Sequence, residues 1–261
     1  MADHFANPKM SLGWARHARD ALVSICDEYF TGEVIELFTE HDESTGMRSL
    51  MVRFAKDLPQ DAFRKAREAV VLTKETLDQS VHQAFVASKA TVPRNLNFPF
   101  ANNPQELEDT LERKRFPTQI RPPIRRLMPF PVQESTGYGD DLFVNMSKIS
   151  NLKHTIGIRA NVRLKGYHAT AISGSGQASM GLVWDPQLNQ GRVMQWLGDR
   201  APRPEEFQFS CDVLFAGPRP VNAVIGINHF INRCEILLSD LEQVVSGARG
   251  KSATGPVTGD E

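Results

Sequence analysis

The stretch FQFSCDVLF, residues 207–215, decides the fold of this chain. Phe207, Phe209, Cys211, Val213 and Phe215 occupy every second position, which lines them along one face of a strand and would scatter them around a helix. Pro218 and Pro220 follow, and beyond them the period changes. Val224, Ile227, Ile231, Cys234, Leu238, Leu241 and Val245 recur at alternating intervals of three and four, the pattern of a long amphipathic helix.

Working back from residue 207, short strands are predicted at Ile156–Ile158, Asn161–Leu164, His168–Ile172, Gly181–Trp184 and Arg192–Trp196, between Gly-rich turns. Everything before His154 has a different texture. Leu12, Ala15, Ala18, Leu22, Ile25 and Tyr29 predict a first helix over Pro8–Phe30, ended by Gly32. Glu33–His41 and Met47–Lys56 alternate around a loop of Asp42 to Gly46, which predicts a β-hairpin. Pro59 opens a second helix to Ser88, with a stripe of Phe63, Ala66, Val70, Leu77, Val81 and Phe85. The two long helices are expected to pack antiparallel through Leu22, Ile25, Val70 and Leu77. A loop over 89–102 contains Asn97-Phe98-Pro99-Phe100. Asn103, Pro104 and Glu106 form a capping pattern for a third helix, and further helices are expected at Ile124–Met128 and Asp140–Asn151.

The sum is an α+β chain: N-terminal helices with a β-hairpin, then a C-terminal antiparallel sheet closed by a long helix. A single integrated domain over 1–247 is expected, its helical part about 8–151 and its sheet plus last helix about 155–246. The last helix must bury its stripe somewhere, because each large apolar side chain contributes about 1.5–3 kcal/mol when buried. Residues 248–261, with Val257 the one large apolar side chain, are expected to form a disordered tail.

Composition narrows the function classes. Of 261 residues 41% are apolar and 23% charged, and the net charge is -1, so there is no strong nucleic-acid signal in the overall balance. Arg113, Lys114, Arg115, Arg121, Arg125 and Arg126 form a local basic run, read as a solvated helix face and loop. Cys26, Cys211 and Cys234 are odd in number and widely spaced, which argues against a disulfide framework or a zinc site. No cofactor and no metal is expected. No apolar run spans a membrane and the first 14 residues lack a secretory stretch, so a soluble, cytoplasmic chain is expected. The sequence leaves a homo-oligomer open.

Four polar groupings invite a chemical reading. Arg163 and His168 lie in strand and turn, where the helical geometry of some ribonucleases is unattainable. Ser173-Gly174-Ser175-Gly176 precedes a strand, so it suits a β-turn better than a phosphate loop, which opens a helix. Lys74, Asp78 and His82 are four apart on the second helix and share a face, either as an ion-pair ladder or with Asp78 orienting His82. Asn151, Lys153 and His154 stand where helix gives way to sheet, either as a helix stop or as a polar site.

The order of these features resembles a family of bacterial cytoplasmic proteins of uncharacterised role. That family carries a helix of the form NLRSALDH, a downstream FP and an element like NxDKHR. Here Lys74-Glu75-Thr76-Leu77-Asp78-Gln79 resembles the first, Phe98-Pro99 the second and Ser150-Asn151-Leu152-Lys153-His154 the third, over about residues 10 to 245. Lys74 stands in place of Arg, Gln79 in place of His and Leu152 in place of Asp. The resemblance implies the fold and singles out Lys74, Asp78, Lys153 and His154 as candidate catalytic residues.

Two functions follow as expectations. The altered motifs favour a non-enzymatic binding or interaction protein. The alternative is an enzyme acting on a phosphate-containing substrate such as RNA, which requires Asp78 to face Lys153 and His154.

Overall fold

The computed structural model describes residues 3–152, 156–167, 178–185, 189–197, 207–216 and 220–252. The two longest N-terminal stripes form the helices α1, Ala6–Thr31, and α2, Gln60–Ala87. Leu22, Val70 and Leu77 are buried and Ile25 is half-buried. Ser11 of α1 donates to the side-chain oxygen of Gln79 at 3.2 Å. One turn on, Trp14 shares a cavity wall with Leu72 and Glu75. Rising numbers on α1 thus meet falling numbers on α2, and the pair is antiparallel.

The buried face of α2 is wider than its apolar stripe, because Thr73, Thr76 and Ser80 are buried too. Each hydroxyl donates to the carbonyl one turn back, to Ala69, Leu72 and Thr76, at 2.7, 2.8 and 2.7 Å. A hydroxyl satisfied within its own helix can be buried without the cost of an orphaned polar group.

Three shorter helices follow: α3, Pro104–Arg113, α4, Arg121–Arg126, and α5, Asp141–Asn151. The expected cap of α3 is present. Asn103 accepts the Glu106 amide at 2.9 Å, and the Glu106 carboxylate accepts the Asn102 amide at 2.9 Å. The last helix, α6, spans Ala223–Ser252. It buries Phe230 and Leu237 as well as the predicted Ile227, Ile231, Cys234, Leu238, Leu241 and Val245.

The strands are β1, Ile35–His41, β2, Met47–Phe54, β3, Ile158–Tyr167, β4, Ala178–Asp185, β5, Gln190–Leu197, β6, Phe207–Phe215, and β7, Val221–Asn222. All pairings among the described residues are antiparallel. The hairpin is not a separate feature. It joins a four-stranded sheet in the order β1-β2-β5-β4, with Leu50 opposite Met194, while β3-β6-β7 forms a second sheet. Gly191 of β5 has no room for a side chain, since a Cβ there would lie 2.7 Å from the Trp184 ring. At the edge, Arg53 reaches Glu36 across the β1-β2 ladder at 2.9 Å, and a charged edge discourages further strand pairing.

The chain divides into two compact units. The helical unit takes Met1–Leu22, Phe63–Gly157 and Ala223–Glu261; the sheet unit takes Val23–Ala62 and Ile158–Asn222. The last helix, grouped with the sheet on sequence, falls in the helical unit. Its Phe230 packs on Phe143 of α5, and its Cys234 thiol donates to the Thr73 carbonyl of α2 at 3.2 Å. The tail expected from residue 248 is corrected at its start: residues 248–252 continue α6, for the helix hydrogen-bond ladder runs on to Ser252. Residues 253–261, the strand expected at His168–Ile172 and the turn at Ser173–Gly176 lie outside the described residues. Among the described residues no helix is long and apolar enough to cross a membrane.

Candidate functional site

On α2 the four-residue spacing does bring Lys74 and Asp78 together. The Lys74 ammonium donates to both oxygens of Asp78, at 2.6 and 2.7 Å. Asp78 also accepts the backbone N–H of Phe98 at 2.8 Å. Two of the three motifs of the family resemblance therefore meet: the helix carboxylate holds the Phe98-Pro99 loop. Lys74 lies 5.9 Å above the ring centroid of Phe100, so its charge faces an aromatic face as well. His82, one turn further, is exposed and takes no part. Gln79 accepts from Ser11. Lys153 and His154 lie outside the described residues. Asn151 ends α5 and is exposed.

A second carboxylate escaped the sequence reading. Asp140 caps α5, accepting the Phe143 amide at 2.9 Å, and its side chain is only 6% exposed. Two residues of α6 converge on it. His229 Nε2 lies 2.8 and 2.9 Å from its oxygens, and Arg233 donates from Nε at 2.7 Å. Burial alone would raise the Asp140 pKa, but the His229 and Phe143 hydrogen bonds and the Arg233 charge outweigh it and hold the carboxyl below its ordinary value. Gly139 fixes the approach: its φ is +135°, and a Cβ would lie 2.4 Å from the Pro131 carbonyl oxygen. A Gly-bearing turn just before an Asp that opens a helix, and His229 and Arg233 four apart on one helix face, were the signals available.

The two carboxylates flank one aromatic cluster. Phe98 and Phe100 pack at 5.0 Å, Phe100 and Phe143 at 4.8 Å, and Phe143 and Phe230 at 5.7 Å, in the edge or tilted geometries that aromatic rings prefer. Asp78 binds the first of these residues and Asp140 caps the helix bearing the third.

The remaining charge-rich segment dissolves into local partners. Arg125 meets Glu108 through two bonds of 2.6 Å, Arg126 pairs with Asp240, Arg121 donates to the Phe116 carbonyl and Lys114 to that of Asn95. The cysteines are free thiols. Burial pushes Cys26 and Cys211 up to about 11 and Cys234 well above its ordinary value, so none is a ready nucleophile. Among the described residues no group of three or more His, Cys, Asp and Glu is placed to hold a metal ion.

The helical unit also carries an open groove of about 820 Å³ along α2. Its apolar wall is Trp14, Phe63, Val71, Leu72 and Ile156. Arg64 and Arg67 stand towards one end of the α2 wall and Glu75 towards the other. Trp14 is 53% exposed, an unusual position for an indole with apolar neighbours. No protein-family model, curated protein or solved structure matches the chain significantly.

Proposed function

We propose that this chain is a non-enzymatic, cytoplasmic binding protein whose helical unit holds its partner in the groove along α2. The observation that carries the reading is the groove itself: about 820 Å³, with the exposed indole of Trp14 set among apolar side chains. Its volume suits a ligand or an inserted side-chain cluster, and contiguous exposed apolar surface commonly marks a binding site. The polar candidates lend support. Lys74 and Asp78 are engaged in anchoring a loop, and a carboxylate that accepts three hydrogen bonds is poorly placed to act as a base. Three free thiols suit a reducing compartment. The test uses anilinonaphthalene sulfonate, an apolar anionic dye, added to dilute protein. Fluorescence enhancement should be seen with the parent chain and lost in Val71→Asp. Equal enhancement in that variant would defeat the reading.

The second reading, an enzyme acting on a phosphate-containing substrate such as RNA, is favoured by one observation. Asp140 orients the imidazole of His229 through Nε2, which leaves Nδ1 without a hydrogen-bond partner among the described residues, beside the cation of Arg233. Cleavage of a single-stranded RNA by the parent chain, abolished in His229→Gln, is the expected outcome of that reading; no cleavage rejects it.

A further inference from the structure

Resting on the binding reading, we propose that the occupant of the α2 groove is a second copy of this chain, packed about a two-fold axis that crosses α2 near Glu68 and Val71. In such an interface the same patch serves both subunits, so residue i meets residue j and j meets i. A patch fits itself when its charges change sign from one end to the other. The groove has this property. Arg64 and Arg67 occupy the N-terminal end of its α2 wall, Val71 and Leu72 the middle, and Glu75 the C-terminal end. Turning a second α2 end for end sets the basic end of each copy against Glu75 of the other and lays the apolar middles together.

The state of each charge fits this arrangement. Glu75 is exposed and makes no ion pair among the described residues. Glu68 is already engaged by Lys65 at 2.7 Å, so Glu75 carries the acidic end. Arg64 and Arg67 are exposed and hold contacts within their own chain, and each keeps its positive charge at that end of the groove. Trp14 supplies the apolar anchor. It stands on the wall contributed by α1, and the two-fold operation inserts each indole into the other copy's groove. Tryptophan and arginine are the residues that most often dominate such interfaces.

Sedimentation of the full chain provides the test. The parent protein should dimerise, and Trp14→Ala should be monomeric with an unchanged circular dichroism spectrum. Two charge variants make the test specific. Arg64→Glu with Arg67→Glu gives an all-acidic groove wall, and Glu68→Lys with Glu75→Lys an all-basic one. Each alone should dimerise at least about 100-fold more weakly, since like charges then face each other. Mixed in equal amounts, the two variants should form a heterodimer. A parent dimer that both variants retain, or a mixture that fails to associate, overturns the two-fold packing. If the parent chain is monomeric while the dye still binds at Val71, the second-copy inference fails and the binding reading stands. A monomer that does not bind the dye defeats both.

Discussion

Asp78 and Asp140 do the same thing in two regions of the helical unit: each is a carboxylate that accepts a backbone N–H and a cation beside one aromatic cluster. Their surroundings differ. Asp78 keeps 28% of its side chain in water and answers a single lysine on its own helix, whereas Asp140 keeps 6% and answers two residues of another helix. The first was conspicuous in the sequence because its partner is four positions away. The second was silent because its partners are 89 and 93 positions away. Sequence spacing thus exposed the more open of the two clamps, and the more deeply buried one is tertiary.

The sharpest way to break this comparison is Asp140→Ala. Removing one member of a buried charge cluster typically costs about 3–5 kcal/mol, and the lower end is expected here because Arg233 and His229 keep about a quarter of their side chains exposed. Denaturant unfolding measures it. The carboxyl of Asp140 is depressed in the folded chain, so its contribution is present above its ordinary pKa of 3.8 and is lost as pH falls through the folded value. The stability gap between parent chain and Asp140→Asn should therefore close progressively below about pH 4. A gap that persists in acid would show that the carboxylate's charge contributes nothing.

Asp78→Ala should cost less, about 1.5–3 kcal/mol, the range for a hydrogen bond to a charged group. The loss should be local: faster hydrogen exchange at the Phe98 amide, which has lost its acceptor, with little change at Phe143. Lys74→Ala removes a cation whose side chain is 17% exposed yet leaves the Phe98 amide bonded to Asp78, so it should cost less than Asp78→Ala. If Asp78→Ala proves as damaging as Asp140→Ala, burial is not what separates the two regions.

Much of the fold was legible for reasons these residues illustrate. The helices have long stripes and clear stops, so the expected Pro8–Phe30, Pro59–Ser88 and Asp140–Asn151 match Ala6–Thr31, Gln60–Ala87 and Asp141–Asn151 closely. The strand at 207–215 was legible because its apolar residues hold a period of two from Phe207 to Val213; at its end Leu214 is buried as well as Val213 and Phe215, which the alternation did not foretell. Strand partners were not. Nothing local in Leu50 indicates that it faces Met194, and no periodicity tells that the hairpin enters a four-stranded sheet. Nor could Thr73, Thr76 and Ser80 be placed in the core from polarity alone, since their burial depends on backbone acceptors that only a formed helix presents. The candidate site was half legible: Lys74 and Asp78 pair as their spacing predicts, and what they hold, the Phe98 loop, emerges only in three dimensions.

The smallest expected effect on stability belongs to a third carboxylate, which has a large pKa shift and no burial. Asp42, in the hairpin loop, accepts the Ser44 amide and hydroxyl at 2.9 and 2.6 Å and the Thr45 hydroxyl at 2.8 Å. The Ser44 and Thr45 hydroxyls, followed by the Ser44 amide, bring its pKa to about 2. Water competes for every one of these bonds, so a low pKa at this position reports local hydrogen bonding and little cohesion of the fold. Carboxyl NMR titration of the double variant Ser44→Ala, Thr45→Ala should move Asp42 back towards its ordinary 3.8 while the melting temperature hardly changes. Asp140 should show the opposite combination, a shift tied to the stability of the whole helical unit. A marked drop in melting temperature in the Ser44, Thr45 variant would mean that the hairpin loop holds the sheet edge in place, and that exposure is a poor guide to which of this chain's carboxylates matter.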